Sequence, residues 1–454
     1  MIIMMKAQKA VLSLFQKEAI IENAKEFLEN FSDDKYRPLN VGTPLKHSMY
    51  NIIKHKGRTY LIYNTLFNSM MTLSDSEFEQ YQNIHFEDLS LVEHFTDNGF
   101  IVSECVDEYH HYASYKKILN GMYSSGSHYT IVLTSKCNAR CVYCYEEGVE
   151  QRDMSPAAAE RIAELMCRSE KPVDITWFGG EPLLKTDIID MITAKLNENG
   201  KAFTSGIITN GSLINENIVR NKFKEWCVEW VQITLDGMNE EYARMKCYID
   251  RETDMFSRVI SNIELIVKND TEVSIRLNMD SVNSDECVKA AEYIREKFPD
   301  RDNISVYPAF LTGSVNNFEN ENKRIRYSEL VYKYYSPGRN ILSDIPKLNS
   351  CYFQQHGAFV IDTDGSILCC ERDVGRHKTK IMSVYDTDSF DTLEKPEKLF
   401  PETRAQCKKC VYYPKCLGGC IAAYGCGYKY DACFMEKYKL EFILNKIMGL
   451  DSEE

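Results

Sequence analysis

The stretch Lys136–Cys144 has the sequence KCNARCVYC and holds three cysteines, Cys137, Cys141 and Cys144, at the spacing C-x3-C-x2-C. An apolar run over 129–133 precedes it and predicts a β-strand. Each iron of a four-iron cubane cluster prefers a thiolate ligand, so three cysteines predict a cluster with one iron open to another ligand. Zinc is an alternative, although zinc sites usually take four ligands in two close pairs, and buried free cysteines are another.

Length, charge and cysteine content set the class of protein. The 454 residues allow roughly three domains of about 150 residues each. The net charge of −13 argues against nucleic acid as the main partner. No apolar run reaches about 18 residues and no signal peptide is evident, so we expect a cytoplasmic protein without a membrane partner. The 17 cysteines, nine of them after residue 350, indicate metal ligation because a chain of this length does not need disulfides.

The amino-terminal part predicts a helical segment over residues 1–42, a small domain over 43–105 and a linker over 106–127. Three strands are expected in the small domain, His47–His55, Arg58–Tyr63 and Ser69–Leu73. Two helices follow, Ser74–Gln82 and Phe86–Asn98. Ser74 and Glu77 have the spacing of a capping box at the start of the first helix.

Residues 128–312 alternate between six predicted strands and five predicted helices. The strands are Thr130–Thr134, Val173–Phe178, Gly206–Thr209, Val231–Leu235, Val273–Leu277 and Ile304–Tyr307. The helices are Ser155–Arg168, Thr186–Asn199, Asn215–Trp226, Phe256–Lys268 and Asp285–Lys297. This alternation predicts an α/β domain with a parallel sheet and helices outside it.

Unusual residues follow the predicted strands. The three cysteines come after the first strand, and the others are Gly179-Gly180-Glu181-Pro182, Asn210-Gly211, Asp236-Gly237 and Asn278, after the second to fifth strands. All would lie at the carboxyl ends of parallel strands, where α/β folds place their sites. An ordinary turn explains any one of them, but explains all of them together less well.

The C-x3-C-x2-C motif, with Tyr143 before its last cysteine, resembles the radical S-adenosylmethionine (radical SAM) enzymes. The resemblance implies a partial (β/α)6 barrel and a [4Fe-4S] cluster whose open iron is chelated by SAM. Reduction of that cluster would cleave SAM to a 5′-deoxyadenosyl radical. The cofactors would carry this chemistry, and the protein would bind and orient them.

Further residues resemble the SAM pocket of that family. Gly179-Gly180-Glu181-Pro182 resembles its GGEP motif, in which backbone carbonyls and a carboxylate, here Glu181, suit the SAM ammonium group. By resemblance, the Thr234 hydroxyl reaches the ribose and Arg276 reaches the SAM carboxylate. The weaker candidates for this pocket are Thr209, Thr234, Asp236, Arg276 and Asn278, and structural hydrogen bonds inside the barrel are the alternative role for each.

The domain over 43–105 resembles the winged-helix-like peptide-recognition domain that is fused to many peptide-modifying radical SAM enzymes. The resemblance implies that an exposed strand edge takes an extra strand from the leader of a precursor peptide. A domain that only stabilises the chain or makes a dimer is the alternative.

Residues 348–436 resemble the SPASM domain, after a bridging region over 313–347 and before a tail over 437–454. The pattern is Cys351, then Gly365-x4-Cys370, then C-x2-C-x5-C-x3-C from Cys407 to Cys420, then Cys433. The resemblance implies two auxiliary [4Fe-4S] clusters. The first auxiliary site would use Cys351, Cys370 and Cys420. The second auxiliary site would use Cys407, Cys410, Cys416 and Cys433. The alternative is that these cysteines bind a zinc ion instead of a cluster.

The first auxiliary site lacks a fourth cysteine, because Gly357 stands where the family pattern has one. Spare candidates nearby are His356, Cys369 and Cys426. An open iron there could instead bind a substrate thiolate, which iron–sulfur clusters prefer as a ligand.

Three functions are compatible with these motifs. The first is a radical SAM/SPASM maturase that modifies a ribosomally synthesised Cys-containing peptide, with a thioether crosslink as the expected product and a flavodoxin or ferredoxin as reductant. The second is an anaerobic sulfatase-maturating enzyme that makes formylglycine, for which Glu371, directly after Cys370, would be the catalytic base. The third is an iron–sulfur electron carrier or sensor, which has no need of a SAM pocket.

Overall fold

The computed structural model describes residues 44–114 except 88, 127–311 except 281 and 300, 351–422 except 397, 398, 400 and 401, and 432–450. The predicted helical segment 1–42, the bridging region 313–347, most of the linker and Cys426 lie outside these residues. Within the described ranges, no helix is both long and apolar enough to cross a membrane.

The amino-terminal domain contains the three predicted strands in an antiparallel sheet. Its elements are β1 Leu45–His47, β2 Asn51–Lys56, β3 Thr59–Asn64, β4 Ser69–Leu73, α1 Asp75–Asn83, α2 Leu89–Asp97 and β5 Ile101–Ser103. The sheet order is β2-β3-β4, and β1 pairs separately with β5. The predicted capping box is present, because the Ser74 side chain accepts from Glu77 N and Glu77 accepts from Ser74 N. The first predicted strand is divided into β1 and β2 by a turn at residues 49 and 50.

Six parallel strands form the centre of the fold and confirm the predicted alternation. They are β6 Ser127–Thr134, β7 Val173–Gly179, β8 Phe203–Thr209, β9 Val228–Thr234, β10 Glu272–Met279 and β11 Ile304–Phe310. Each is a neighbour of the next in the sheet. Alternate residues of β6, such as Tyr129, Ile131 and Leu133, pack in the main hydrophobic core with the helices. The intervening residues therefore face the inside of the partial barrel.

The helices between these strands are α3 Pro156–Arg168, α4 Thr186–Glu198, α5 Phe223–Glu225, α6 Asn239–Lys246, α7 Met255–Lys268 and α8 Ser284–Lys297. The third predicted helix is a π-helical turn, Ile218–Lys222, followed by the short α5. Helix α6 was not predicted. It begins just after Asp236-Gly237, at the carboxyl end of β9, and this places it at the rim of the barrel.

The cysteine-rich region is joined to the barrel by main-chain pairing. Strand β12, Ala358–Ile361, runs parallel to β6, and β13 Ser366–Leu368 and β14 Met382–Ser383 extend the sheet to nine strands. The helices of this region are α9 Ala405–Lys408, α10 Tyr413–Cys416 and α11 Ala432–Ile447. Leu440 and Leu444 of α11 pack on Leu61 and Tyr63 of β3. The amino-terminal sheet is therefore covered by α11 on one face.

Candidate active site

The cysteine loop after β6 is held by backbone contacts on both sides. On one side, Arg140 N donates to Lys246 O at 3.0 Å and Val142 N donates to Met245 O at 3.1 Å. On the other side, Ser135 N donates to Arg152 O at 2.9 Å. Because backbone bonds fix the loop at both edges, the three cysteines have a defined position at the barrel rim.

Gly179 and Gly180 bring the end of β7 against this loop. Gly180 N donates to Thr134 O at 2.8 Å, and Glu181 N donates to Lys136 O at 3.0 Å. A Cβ atom on Gly179 would lie 2.2 Å from Thr134 O, and one on Gly180 would lie 2.5 Å from Lys136 O. Gly179 also has φ +141°, which side chains rarely adopt. The close approach of the two backbones therefore requires glycine at both positions.

Glu181 is fully buried, and its carboxylate holds the end of β8. It accepts hydrogen bonds from Thr209 Oγ1 at 2.7 Å, Asn210 N at 2.9 Å and Leu183 N at 3.1 Å. Burial raises the pKa of Glu181, and these donors act in the opposite direction. The hydrogen bond between Thr209 and Glu181 therefore ties the end of β8 to the turn after β7. Pro182 begins a short 3-10 turn beside them.

A buried ion pair lies beside the cysteine loop. Lys246 Nζ is 2.8 Å from Asp236 Oδ2, and both side chains are almost wholly buried, with exposed fractions of 2% and 0%. Lys246 also donates to the hydroxyl of Tyr143 at 2.9 Å and to that of Thr234. The Tyr143 hydroxyl donates to Asp236. Four side chains from the loop, β9, its carboxyl end and α6 thus form one network.

The charge of Lys246 is stabilised within this network. Burial acts to lower the pKa of Lys246, but the charges of Asp236, Tyr143 and Cys141 outweigh it and hold the pKa well above its usual range. Burial raises the pKa of Tyr143, and the charge of Asp236 raises it further. The site therefore presents a fixed ammonium group near Cys141 and a neutral phenol.

Asn278 and Arg276 extend the network along β10. Asn278 Nδ2 donates to the Tyr143 hydroxyl at 3.2 Å, and Asn278 N donates to Asp236 Oδ1 at 2.9 Å. Arg276 Nε donates to Asn278 Oδ1 at 2.9 Å. The two side chains share one face of the strand, as their spacing predicts. Arg276 is half-buried and lies farther along the chain of hydrogen bonds from Tyr143 than Asn278 does.

The three thiols converge at the rim. Burial raises the pKa of Cys137 to about 12, and the charges of Glu181, Cys141 and Cys144 act in the same direction. Cys137 and Cys141 are half-buried, while Cys144 is exposed. Three thiols that lie close enough to act on one another's pKa fit the three-thiolate ligation of a cluster.

Residues 131–294 match the Radical SAM superfamily. This stretch is a radical SAM domain. The match supports an enzyme, and the matched region contains the cysteine loop, both glycines and the Lys246–Asp236 pair.

Two curated relatives match over part of their length. TigE of Paramaledivibacter caminithermalis, a radical SAM cyclopropyl synthase, is 24% identical over 254 residues, which are 51% of this chain and 52% of TigE. A Methanocella arvoryzae protein named "Probable GTP 3',8-cyclase" is 27% identical over 172 residues, which are 37% of this chain and 52% of that protein. The chain thus spans about half the length of these relatives.

Solved structures share the fold. Native anSMEcpe with bound AdoMet has a TM-score of 0.59 and 19% identity, over 71% of this chain and 98% of that chain. Its complex with AdoMet and the Kp18Cys peptide has a TM-score of 0.58 and the same coverage. SuiB of Streptococcus suis bound to S-adenosylmethionine has a TM-score of 0.50 and 15% identity, over 86% and 99%. The predicted α/β class with a partial radical SAM barrel is confirmed.

Outside the radical SAM domain, the structure brings Cys351, Cys370 and Cys420 together. Burial raises the pKa of Cys351 and of Cys370, and each of these thiols also senses Glu371 and Cys420. These are the three cysteines of the first auxiliary site. Glu371, the predicted catalytic base, thus lies beside this site and near Tyr145, which directly follows the cysteine loop.

The second auxiliary site is described in part. Cys407, Cys410 and Cys416 lie on consecutive turns, in which Cys410 N donates to Cys407 O at 3.1 Å and Cys416 N donates to Tyr412 O at 3.0 Å. The side chain of Cys433 lies outside the described residues. Of the spare candidates for the first auxiliary site, Cys369 is buried and His356 is exposed.

Lys246 was missed from the sequence because α6 was missed. A signal existed, since Met238, Tyr242 and Met245 have the i, i+4, i+7 spacing of a helix with one apolar face. That helix would have begun beside Asp236 and ended at a lysine. The burial of that lysine, however, depends on the cysteine loop packing against residues 245–249, which no local pattern contains.

Proposed function

We propose that the chain is a radical SAM enzyme that modifies a ribosomally synthesised Cys-containing peptide, with a thioether crosslink as product. The observation that carries the proposal is the three-cysteine loop held against Gly179-Gly180 beside the buried Lys246–Asp236 pair. An iron–sulfur electron carrier needs no such pocket. When bound and reduced, the cluster and SAM would together supply a 5′-deoxyadenosyl radical.

The hydrogen bonds at the rim support a specific role in a SAM pocket for several of its residues. Cys137, Cys141 and Cys144 would hold three irons. Because the carboxylate of Glu181 already accepts three hydrogen bonds, we propose that the backbone of the GGEP turn, and not this carboxylate, meets the SAM ammonium group. Arg276 stays the candidate for the SAM carboxylate, because the three N–H donors of the buried Lys246 already meet Asp236, Tyr143 and Thr234. Thr234, Asp236, Tyr143 and Asn278 would line the same pocket.

Three features support a peptide as substrate. The amino-terminal sheet has strand edges at β2 and β4, and in the described residues β4 pairs with β3 alone. A peptide leader could extend the sheet there. The similar fold of anSMEcpe has been solved with AdoMet and a peptide. The convergence of Cys351, Cys370 and Cys420 supports an auxiliary cluster with one iron open to a peptide thiolate.

A second candidate, formylglycine formation, is favoured by Glu371. This carboxylate lies beside Cys351 and Cys370, where it could take a proton from a substrate bound between the cluster sites. The two candidates share the radical SAM step and differ in the product. A thioether retains the cysteine sulfur and loses two hydrogens, whereas formylglycine replaces the sulfur by a carbonyl oxygen.

The remaining partners follow from the chemistry. Reduction of a [4Fe-4S] cluster needs a low-potential electron donor, for which flavodoxin or ferredoxin is proposed, and a cytoplasmic location is proposed with it. The complete enzyme would hold three [4Fe-4S] clusters. Iron content that falls by about one third in a Cys407→Ala, Cys410→Ala variant would support the second auxiliary site.

The central test is release of 5′-deoxyadenosine from SAM by the anaerobically reconstituted and reduced protein. Cys141→Ala should abolish release, while Cys105→Ala, at an exposed cysteine outside every proposed site, should leave it unchanged. The proposal fails if Cys141→Ala releases as much as the unaltered protein. Mass spectrometry of a Cys-containing precursor peptide after reaction then separates thioether from formylglycine.

A further inference from the structure

Lys395 lies against the first auxiliary site. Its ammonium group donates to the carbonyl oxygens of Tyr352 at 2.5 Å and Phe353 at 3.2 Å, the two residues after Cys351. It also lies 5.3 Å from the centre of the Phe359 ring. The side chain is half-buried. Lys395 thus fastens the turn that carries Cys351 and covers part of it.

The ionisable neighbours of Lys395 are cysteines. The groups that interact electrostatically with the Lys395 ammonium group are the side chains of Cys369, Cys351 and Cys370. No ion pair found among the described residues includes Lys395. Its ammonium group therefore lies beside the turn that carries Cys351, at the first auxiliary site.

We propose that Lys395 raises the reduction potential of the [4Fe-4S] cluster at Cys351, Cys370 and Cys420. This inference rests on the proposed function, which supplies the cluster. Reduction adds one negative charge to a cluster, and a nearby ammonium group stabilises the reduced form more than the oxidised form. Net charge, hydrogen bonds and solvent exposure are the means by which proteins set such potentials.

A raised reduction potential affects the direction in which electrons flow between the substrate and the cluster. A cluster of more positive potential is a better electron acceptor. Joining a peptide carbon radical to a thiolate sulfur forms one bond and releases one electron, and the cluster beside Lys395 would be suited to receive it. Lys395 is in this sense a positioning residue, because it acts through the cluster and the Cys351 turn.

The test is a redox titration followed by electron paramagnetic resonance, in protein that carries Cys137→Ala, Cys141→Ala and Cys144→Ala so that only auxiliary clusters contribute. Loss of one signal in a further Cys351→Ala, Cys370→Ala variant assigns that signal to the first auxiliary site. If this variant loses no signal, the cluster itself is absent and the proposed function is at fault, which separates that failure from a failure of the Lys395 inference.

Lys395→Met should lower the midpoint potential of the assigned signal, with at least a tenfold change in the ratio of oxidised to reduced cluster at fixed potential, which is about 59 mV for one electron. Lys395→Arg should keep the original potential. Lys289→Met, which removes the same charge from a remote exposed position, should change nothing. Lys395→Gln keeps a donor for the carbonyl oxygens without the charge and is the deciding variant if Lys395→Met does not load. An unchanged potential in Lys395→Gln overturns the inference.

Discussion

Replacing Lys246 by methionine should destabilise the cluster-free protein by about 3 kcal/mol. The change leaves the carboxylate of Asp236 buried without its partner, at an exposed fraction of 0%. Breaking a buried ion pair by removing one partner typically costs about 3–5 kcal/mol. We expect the lower end, because Asn278 N at 2.9 Å and the Tyr143 hydroxyl still donate to Asp236. No discount for solvent screening applies, because both groups are buried.

The assay is urea unfolding under reducing conditions, with the free energy of unfolding compared between variants. Lys268→Met is the matched control, because it removes a lysine from an exposed i, i+4 pair with Glu264 and should cost no more than about 0.5 kcal/mol. Adding Asp236→Asn to Lys246→Met should restore at least half of the loss, because the buried charge is then gone. A loss below about 1 kcal/mol for Lys246→Met, or a double variant no more stable than Lys246→Met, would refute the assigned role of the pair.

The dependence of this effect on pH has a definite sign. The pKa of Lys246 is raised in the folded protein above its value in the unfolded chain. Its contribution to stability is therefore fully present below the unfolded pKa and is lost only as pH rises through the higher folded value. Between pH 6 and about 9 the difference between Lys246→Met and the unaltered protein should stay constant. A stability advantage of the unaltered protein over Lys246→Met that rises steadily with pH across this range would show that Lys246 is neutral in the fold.

Three other changes follow from single contacts. Gly180→Ala should lower the free energy of unfolding by at least about 2 kcal/mol and stop release of 5′-deoxyadenosine, because its Cβ would meet Lys136 O at 2.5 Å. Gly200→Ala is the control: it has open space around it, so it should cost about 1 kcal/mol and keep activity. Equal losses in the two variants would contradict this reasoning. Burial raises the pKa of Glu108, so the unaltered protein should lose stability relative to Glu108→Gln as pH rises above about 4.5. The loss is about 1.4 kcal/mol for each pH unit by which the pKa is raised, and a difference independent of pH would count against it. Leu444→Ala should cost about 2–5 kcal/mol in thermal unfolding, because Leu444 is fully buried between α11 and β3, and a loss near zero would show that this contact is not made.

The sequence predicted the six parallel strands well because each has buried apolar residues, and the first five are followed by cysteine, glycine or polar residues that mark their carboxyl ends. The predicted starts were late where polar residues face the inside of the barrel. His128 at the start of β6 and Thr204 at the start of β8 both pair with Asp174 of β7 across the interior. Such polar residues interrupt an apolar pattern, and their partners come from other strands. Local periodicity therefore recovered the carboxyl ends of β6, β8 and β9 better than their beginnings, whereas β10 and β11 extend beyond the predicted ends at Leu277 and Tyr307.

The residue types at the strand ends also predicted where the rim of the barrel lies. They did not predict what each residue at the rim does. Glu181 looked like a ligand for an ammonium group, yet its carboxylate binds Thr209 and two backbone amides. Lys246 looked like any lysine near the end of an acidic stretch. Its role depends on burial between α6 and the cysteine loop, and burial of a single side chain by a distant segment has no signature in the sequence.

The packing of the amino-terminal sheet limits how a peptide could bind to it. Ile62 and Leu73 on one face pack against Phe78 and Phe95 of the helices, and the opposite face packs against α11. Among the described residues both faces are covered, which leaves the strand edges as the place where a peptide could join this sheet. Met70 on β4 and Phe67 just before it are exposed by 37% and 38%, which gives the β4 edge apolar side chains beside its unpaired backbone groups.

The same domain also covers the second auxiliary site. Tyr50 of this domain and Tyr112 of the linker that follows it pack with Tyr413 around Cys407 and Cys410, and the Tyr112 hydroxyl donates to Pro414 O at 3.2 Å. The domain proposed to hold the peptide and the cysteines proposed to hold a cluster therefore share one buried surface. A peptide bound at the β4 edge would be held by a domain that packs onto the cysteine-rich region. The proposed peptide-binding edge and the proposed auxiliary cluster would then belong to two regions in direct contact.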